Sequence, residues 1–139
     1  MKINNIDSLK IINIPKVHDV RGSLNVIEKS VIPFKMERIY YLFDIPSGSS
    51  RGGHAHKELT QFMVALNGSF EVVLKDKNKT KTVMLNNPSK GLLIVPGIWR
   101  ELKNFSSGAV CLVVASHIYK EADYIRDFNE FLDYNFLNG

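Results

Sequence analysis

Cysteine is almost absent from this chain: Cys111 is the only one in 139 residues. An internal disulfide is excluded, and a reducing, cytoplasmic setting is expected. Cys111 lies within the apolar run 109–115, where a lone thiol reads as a small buried hydrophobe. Long apolar runs are missing too. Nothing approaches the roughly 20 residues of a membrane span, and segment 1–16 has no apolar stretch of the kind a secretory signal needs. The chain also lacks internal repeats, linkers, low-complexity segments and, before residue 118, helical periodicity. No basic stretch is interleaved with aromatics, so nucleic acid is not an expected partner. Lys75, Lys77, Lys79 and Lys81 fall between two strand-like runs and read as a solvated hairpin tip.

What is present fits one domain over residues 1–139. Hydrophobic residues make up 45% and charged residues 23%, with a formal charge of +4 that suits an anionic ligand. Short runs rich in Val, Ile, Phe and Tyr recur between turn signals: 23–28, 38–43, 61–67, 69–75, 80–85, 91–95 and 109–116. Asn67-Gly68 between two apolar runs is a hairpin signal. Segment 80–85 alternates and should have one wet face, whereas 91–95 and 109–115 are continuous apolar runs, expected to be buried on both sides. Tyr124, Phe128 and Phe131 recur at helical spacing, so a C-terminal helix is expected over about 121–137, with Arg126 a structural residue within it. Many short strands and one late helix predict an all-β sandwich or barrel of jelly-roll type.

The chemistry concentrates in Arg51-Gly-Gly-His54-Ala-His56. On a strand, His54 and His56 face the same side. Two imidazoles beside an arginine suit either a metal site or a metal-free acid/base site for an anionic substrate. Tyr40 and Tyr41 are adjacent, so one should face the interior and the other away.

Gly53-His54-Ala-His56, Gln61 and Gly68, followed by Gly91, Pro96-Gly97, Arg100 and Asn104, resemble the two halves of the cupin motif. The resemblance implies a jelly roll. Metal-bearing cupins add a glutamate and a third histidine, but here those positions hold Thr60 or Gln61 and Arg100. An arginine cannot coordinate, so no metal is expected.

Six segments narrow the resemblance: Asp19-Val-Arg21-Gly22-Ser-Leu24, Arg38-Ile-Tyr40-Tyr41-Leu-Phe43-Asp44, Arg51 to Lys57, Leu66-Asn67-Gly68-Ser69, Pro96-Gly-Ile-Trp99-Arg100, and Ala115-Ser116 with Asp123-Tyr-Ile-Arg126-Asp127. Together they look like the nucleotide-linked sugar 3,4-ketoisomerases. That resemblance implies migration of a ketone from C4 to C3 of dTDP-4-keto-6-deoxyglucose through an enediol. It also implies no cofactor, a homodimer with N-terminal strands often exchanged, and a product leading to a 3-amino-3,6-dideoxy sugar of surface glycans. It makes His54 the base, His56 its partner and Tyr40 a donor to the enediolate. Arg21, Arg51, Arg100 and Trp99 would bind substrate. The positions of Arg21 and Arg100 track the product's C4 configuration in that family, and the Arg/Arg pair leans to gluco. The alternatives are a nucleotide-sugar 3,5-epimerase, a non-catalytic nucleotide-sugar-binding cupin and a metal-dependent cupin oxygenase.

Overall fold

Strand formation follows the β-branched and aromatic runs. The computed structural model describes residues 4–136, and in chain order its strands are β1 (Lys10–Asn13), β2 (Lys16–Asp19), β3 (Gly22–Asn25), β4 (Arg38–Leu42), β5 (Arg51–His56), β6 (Gln61–Asn67), β7 (Phe70–Lys75), β8 (Thr80–Leu85), β9 (Lys90–Ile94), β10 (Trp99–Lys103), β11 (Val110–Ala115) and β12 (Tyr124–Ile125). One α-helix, α1, covers Phe128–Asp133. Two five-stranded antiparallel sheets, ordered β1-β9-β6-β11-β4 and β12-β5-β10-β7-β8, make the sandwich, and β2-β3 is a separate hairpin. This is the expected jelly roll with one C-terminal helix.

The main core fills the space between the sheets, with Met63, Ala65, Phe70, Val72, Leu74, Ile94, Leu102, Phe105, Cys111 and Val113 buried there. A second cluster, including Phe62, Val64 and Val114, lies beneath segment 26–36. The third, of Ala55, Trp99, Ile125, Phe131 and Phe136, packs under α1. Burial is nearly continuous along β9 and β11, and β8 is mostly exposed, as their patterns require. The lysine-rich tip is the β7–β8 turn, with Lys75 opposite Thr80 and Asp76 accepting from the Asn78 and Lys79 amides.

Two expectations are corrected. Asn67-Gly68 is not a hairpin: β6 pairs with β9 and β11 while β7 pairs with β8 and β10, so the turn is a corner between sheets. Gly68 adopts φ +66° there, and a Cβ would stand 2.4 Å from Ser106 Oγ. The helix is also far shorter than expected. Tyr124 and Ile125 pair with His56 and Ala55 instead of coiling, and Asp127 caps α1 by accepting from the Glu130 amide. Sheet pairing has outweighed the aromatic spacing. Among the described residues, no helix is long and apolar enough to cross a membrane.

Candidate active site

Six strands build one cavity between the sheets. Arg38, Tyr40 and Leu42 of β4 line it, with Gln61 and Met63 of β6 and Val113 of β11. The other sheet contributes Arg51 to His54 of β5, Arg100 and Leu102 of β10, and Tyr124 of β12, with Tyr119 and Arg126 beside them. The volume is about 490 Å³, enough for a small-molecule ligand. Tyr40 faces this cavity, whereas Tyr41 is 60% exposed on the other side of β4, so the adjacent tyrosines split as alternation requires.

His54 and His56 share a face, with ring centroids 4.8 Å apart and the rings edge-on. Ala55 between them points into the cluster under α1. His54 lines the cavity, while His56 is fully buried just behind it, its Nδ1 2.8 Å from Asp123 Oδ2. Neither Nε2 has a hydrogen-bond partner. Burial pulls the His54 pKa down to about 3, helped by the Arg100 and Arg126 cations. The same burial and Arg100 lower His56 further. Both rings are therefore neutral near pH 7, and His54 holds a free lone pair at the cavity wall, which is what a general base requires.

Arg100 is buried and donates Nε and Nη2 to the Ile98 carbonyl and Nη1 to Gln61 Oε1. Gln61 Nε2 in turn donates to Tyr40 Oη at 3.1 Å. Burial raises the Tyr40 pKa, so the phenol keeps its proton. Among the described residues, no group of three or more His, Cys, Asp or Glu side chains is placed to hold a metal ion. Glu58 lies beyond the end of β5 and is exposed. Cys111 is buried, with its thiol pushed up to about 12, and is chemically quiet.

Of the residues singled out from sequence, His54, Tyr40, Arg51 and Arg100 line the cavity. Arg21 does not: it sits at the tip of the β2–β3 hairpin, its side chain 86% exposed and paired with Asp19. Trp99 is not at the cavity either. It is the neighbour of Arg100 on β10, so it faces outward, packing on Phe128 and Phe131 and donating Nε1 to Glu101. His18 and His117 are exposed, hydrogen-bonded to Ser23 and Ser116.

Sequence reasoning gave no catalytic or binding role to Arg38, Gln61, Tyr119, Asp123 or Tyr124. Arg38 carried a readable signal, being two residues from Tyr40 on the same strand. Its Nε is buried without a partner and its guanidinium lies over the Tyr40 and Tyr119 rings. Arg126 also belongs to the cavity rather than to a helix. It is held by Glu121 at 2.6 and 2.9 Å and covers the Tyr124 ring at 4.3 Å. Hydrogen bonds from Arg126 and Tyr119 hold Glu121 down to about 2, so it is ionised beside these two lining residues.

The protein-family model FdtA, described as "WxcM-like, C-terminal", matches residues 7–135. The TDP-4-oxo-6-deoxy-alpha-D-glucose-3,4-oxoisomerase of Aneurinibacillus thermoaerophilus is 46% identical over 126 residues, which cover 90% of this chain and 91% of that protein. Among solved structures, the WlaRB TDP-quinovose 3,4-ketoisomerase from Campylobacter jejuni superposes with a TM-score of 0.88 at 43% identity, covering 93% of this chain and 100% of that one. QdtA, a sugar 3,4-ketoisomerase from Thermoanaerobacterium thermosaccharolyticum in complex with TDP, gives 0.89 at 40% identity, covering 92% and 94%. On the family match and on this likeness over nearly its whole length, the chain belongs to the FdtA family of sugar 3,4-ketoisomerases.

Proposed function

We propose that this enzyme moves the ketone of a dTDP-linked 4-keto-6-deoxyglucose from C4 to C3 by acid/base catalysis. The observation that carries the reading is the neutral, unpartnered His54 Nε2 in the wall of a cavity otherwise rich in arginine and tyrosine. His54 takes the C3 proton, and the electron pair of that C–H bond forms the C3=C4 double bond as O4 becomes an oxyanion. Tyr40 donates a hydrogen bond to that oxyanion. The O3 hydroxyl proton is then relayed to O4, its O–H electron pair forms the C3 carbonyl, and the C3=C4 pair takes the proton back from the His54 imidazolium at C4. C3 is oxidised as C4 is reduced, so the step needs no external oxidant or organic cofactor. Arg51, Arg38 and Arg126 supply the positive charge that a nucleoside diphosphate needs.

A second copy of the chain completes this reading. Lys16–Asn25 is exposed along almost its whole length, with Val17 at 62% and Leu24 at 56%. Ile39, Tyr41 and Phe43 expose a further apolar strip beside β4. In a homodimer with exchanged N-terminal strands, Arg21 at the hairpin tip would reach the partner's cavity rather than its own. A nucleotide-activated substrate and a lone buried thiol fit a cytoplasmic enzyme supplying surface-glycan biosynthesis.

The gluco configuration at C4 is the favoured product. Arg100 is committed to Gln61 and Ile98, and a guanidinium is too weak an acid to protonate the enediol from its side. Quinovose, named for the Campylobacter jejuni relative, is the gluco-configured 6-deoxyhexose. The test is incubation with dTDP-4-keto-6-deoxyglucose and a 3-aminotransferase, followed by NMR of the amino sugar. A 3-amino-3,6-dideoxyglucose is expected; a galacto sugar overturns the stereochemical assignment, and deuterium at C5 without carbonyl migration overturns the activity in favour of an epimerase.

A further inference from the structure

Asp123 lies 67 residues from His56 in sequence, yet its Oδ2 is 2.8 Å from His56 Nδ1. Its other oxygen, Oδ1, accepts the Glu58 amide at 2.7 Å, and its backbone carbonyl accepts the Lys57 amide at 2.9 Å. Each carboxylate oxygen therefore meets one donor. A backbone N–H can only donate, which commits Oδ1 to Glu58. An ionised carboxylate has no proton to offer, so at Oδ2 the proton must sit on His56 Nδ1. That leaves His56 Nε2 as a bare acceptor on the opposite edge of the ring.

The Nδ1 end of His56 faces away from the substrate cavity. Asp123 does not line the substrate cavity. It lines a second one of about 410 Å³, with Lys57, Glu58 and Lys120. The His56 ring does not itself line the substrate cavity but lies against two residues that do, His54 at 4.8 Å and Tyr124 at 4.4 Å between ring centroids. Buried Nε2 has no protein partner there.

We propose that Asp123 is a positioning residue that locks His56 in the Nδ1–H tautomer and so keeps Nε2 a bare acceptor, on the ring edge away from Asp123 and behind His54. Asp123 touches no substrate; it acts through the imidazole. The use of that acceptor, to relay the O3 hydroxyl proton towards O4, rests on the ketoisomerase reading. The tautomer itself does not, because it is a property of the resting enzyme.

An Asp123→Asn substitution exposes the logic. An amide has one oxygen for two donors. The Glu58 N–H cannot change, so the amide oxygen turns to it and the NH₂ group faces His56, which must then accept at Nδ1 and carry its proton on Nε2. The same inversion explains why a buried aspartate-to-asparagine change is so damaging in serine-protease triads.

The experiment is two-bond ¹H–¹⁵N correlation NMR on ¹⁵N-histidine protein. His56 is identified among the four histidines by loss of its signals in His56→Gln. The wild-type protein is expected to show His56 as Nδ1–H. In Asp123→Asn it is expected to show Nε2–H, with kcat lower by roughly 100-fold and KM little changed. Asp123→Glu is expected to restore part of the Nδ1–H signal. A wild-type His56 in the Nε2–H form, or a mixture of forms, overturns the proposal even if neither Asp123 variant folds. So does an Asp123→Asn protein that keeps Nδ1–H. A wild-type Nδ1–H signal in a protein that moves no carbonyl supports the lock and removes the ketoisomerase reading alone.

Discussion

Arg100 holds Gln61 by its side-chain oxygen, and that decides which atom Gln61 presents to Tyr40. A guanidinium only donates, so Gln61 Oε1 must face it and Nε2 must face the phenol, where it donates to Oη at 3.1 Å. Tyr40 already accepts a hydrogen bond on its oxygen, so its own proton is free to point into the cavity. The position where a metal-binding cupin carries its third imidazole starts, in this chain, a hydrogen-bond chain that orients the Tyr40 phenol.

The chain can be cut at either end with different results. Tyr40→Phe is expected to lower kcat by roughly 100-fold and, by leaving Gln61 Nε2 without its acceptor, to cost about 1 kcal/mol of stability. Gln61→Leu leaves a buried guanidinium nitrogen and the phenol oxygen unpaired, so it is expected to lower kcat and also to destabilise the protein by about 3 kcal/mol. Steady-state kinetics with thermal unfolding of both variants separates the outcomes. Equal melting temperatures for the two would contradict the assigned chain.

The other face of β10 predicts the opposite pattern. Trp99 packs beneath α1, and a Cβ on Gly53 would stand 2.4 Å from its ring. Trp99→Ala is expected to cost about 3–5 kcal/mol of stability, with KM of the folded enzyme unchanged. A raised KM at unchanged melting temperature would instead place Trp99 in substrate binding.

These faces show how much the sequence disclosed. Valine- and isoleucine-rich runs marked most strands, and period-two alternation separated Tyr40 from Tyr41. The same alternation separates Trp99 from Arg100, so Trp99 on the outer face was legible in principle. So was Arg38, on the same face as Tyr40. Asn67-Gly68 misled because the signal for a tight turn is local, and whether the flanking strands pair is not. Tyr124 and Ile125 misled for the same reason: their aromatic and apolar spacing suits a helix, but the edge of β5 claimed their backbone. The Asp123–His56 pair had no local sign at all, because it joins two segments only after the second sheet has formed.

Acid should weaken the fold through the buried histidines. Unfolded histidine titrates near 6.5, whereas folded His54 is lowered to about 3 and His56 is lowered in the same direction. Below about pH 6.5 the unfolded chain binds more protons than the folded one, so stability falls as pH drops; above it this contribution is constant. At pH 5 the loss is roughly 2 kcal/mol for each imidazole. Melting temperatures measured across this range should decline below pH 6.5, and less so in His56→Gln. A flat profile would contradict the buried, neutral assignment.

Site sharing in the proposed dimer has a complementation test. If Arg21 of one protomer serves the cavity of the other, Arg21→Ala and His54→Asn each inactivate, but a mixed dimer has one cavity with both defects and one with neither. Co-expressed chains should then recover up to about half the wild-type activity per mixed dimer. No recovery would place Arg21 at the cavity of its own chain, and an active Arg21→Ala homodimer would place it outside catalysis.

The central claim is that His54 carries the proton between C3 and C4. It is tested most directly by following dTDP-4-keto-6-deoxyglucose by NMR with the wild-type and His54→Asn proteins at matched folded concentration and matched TDP binding. The account predicts that the C3 ketone appears with wild-type protein, and that migration slows by roughly 1,000-fold or more in the variant while TDP still binds. Carbonyl migration at the wild-type rate in His54→Asn would contradict it.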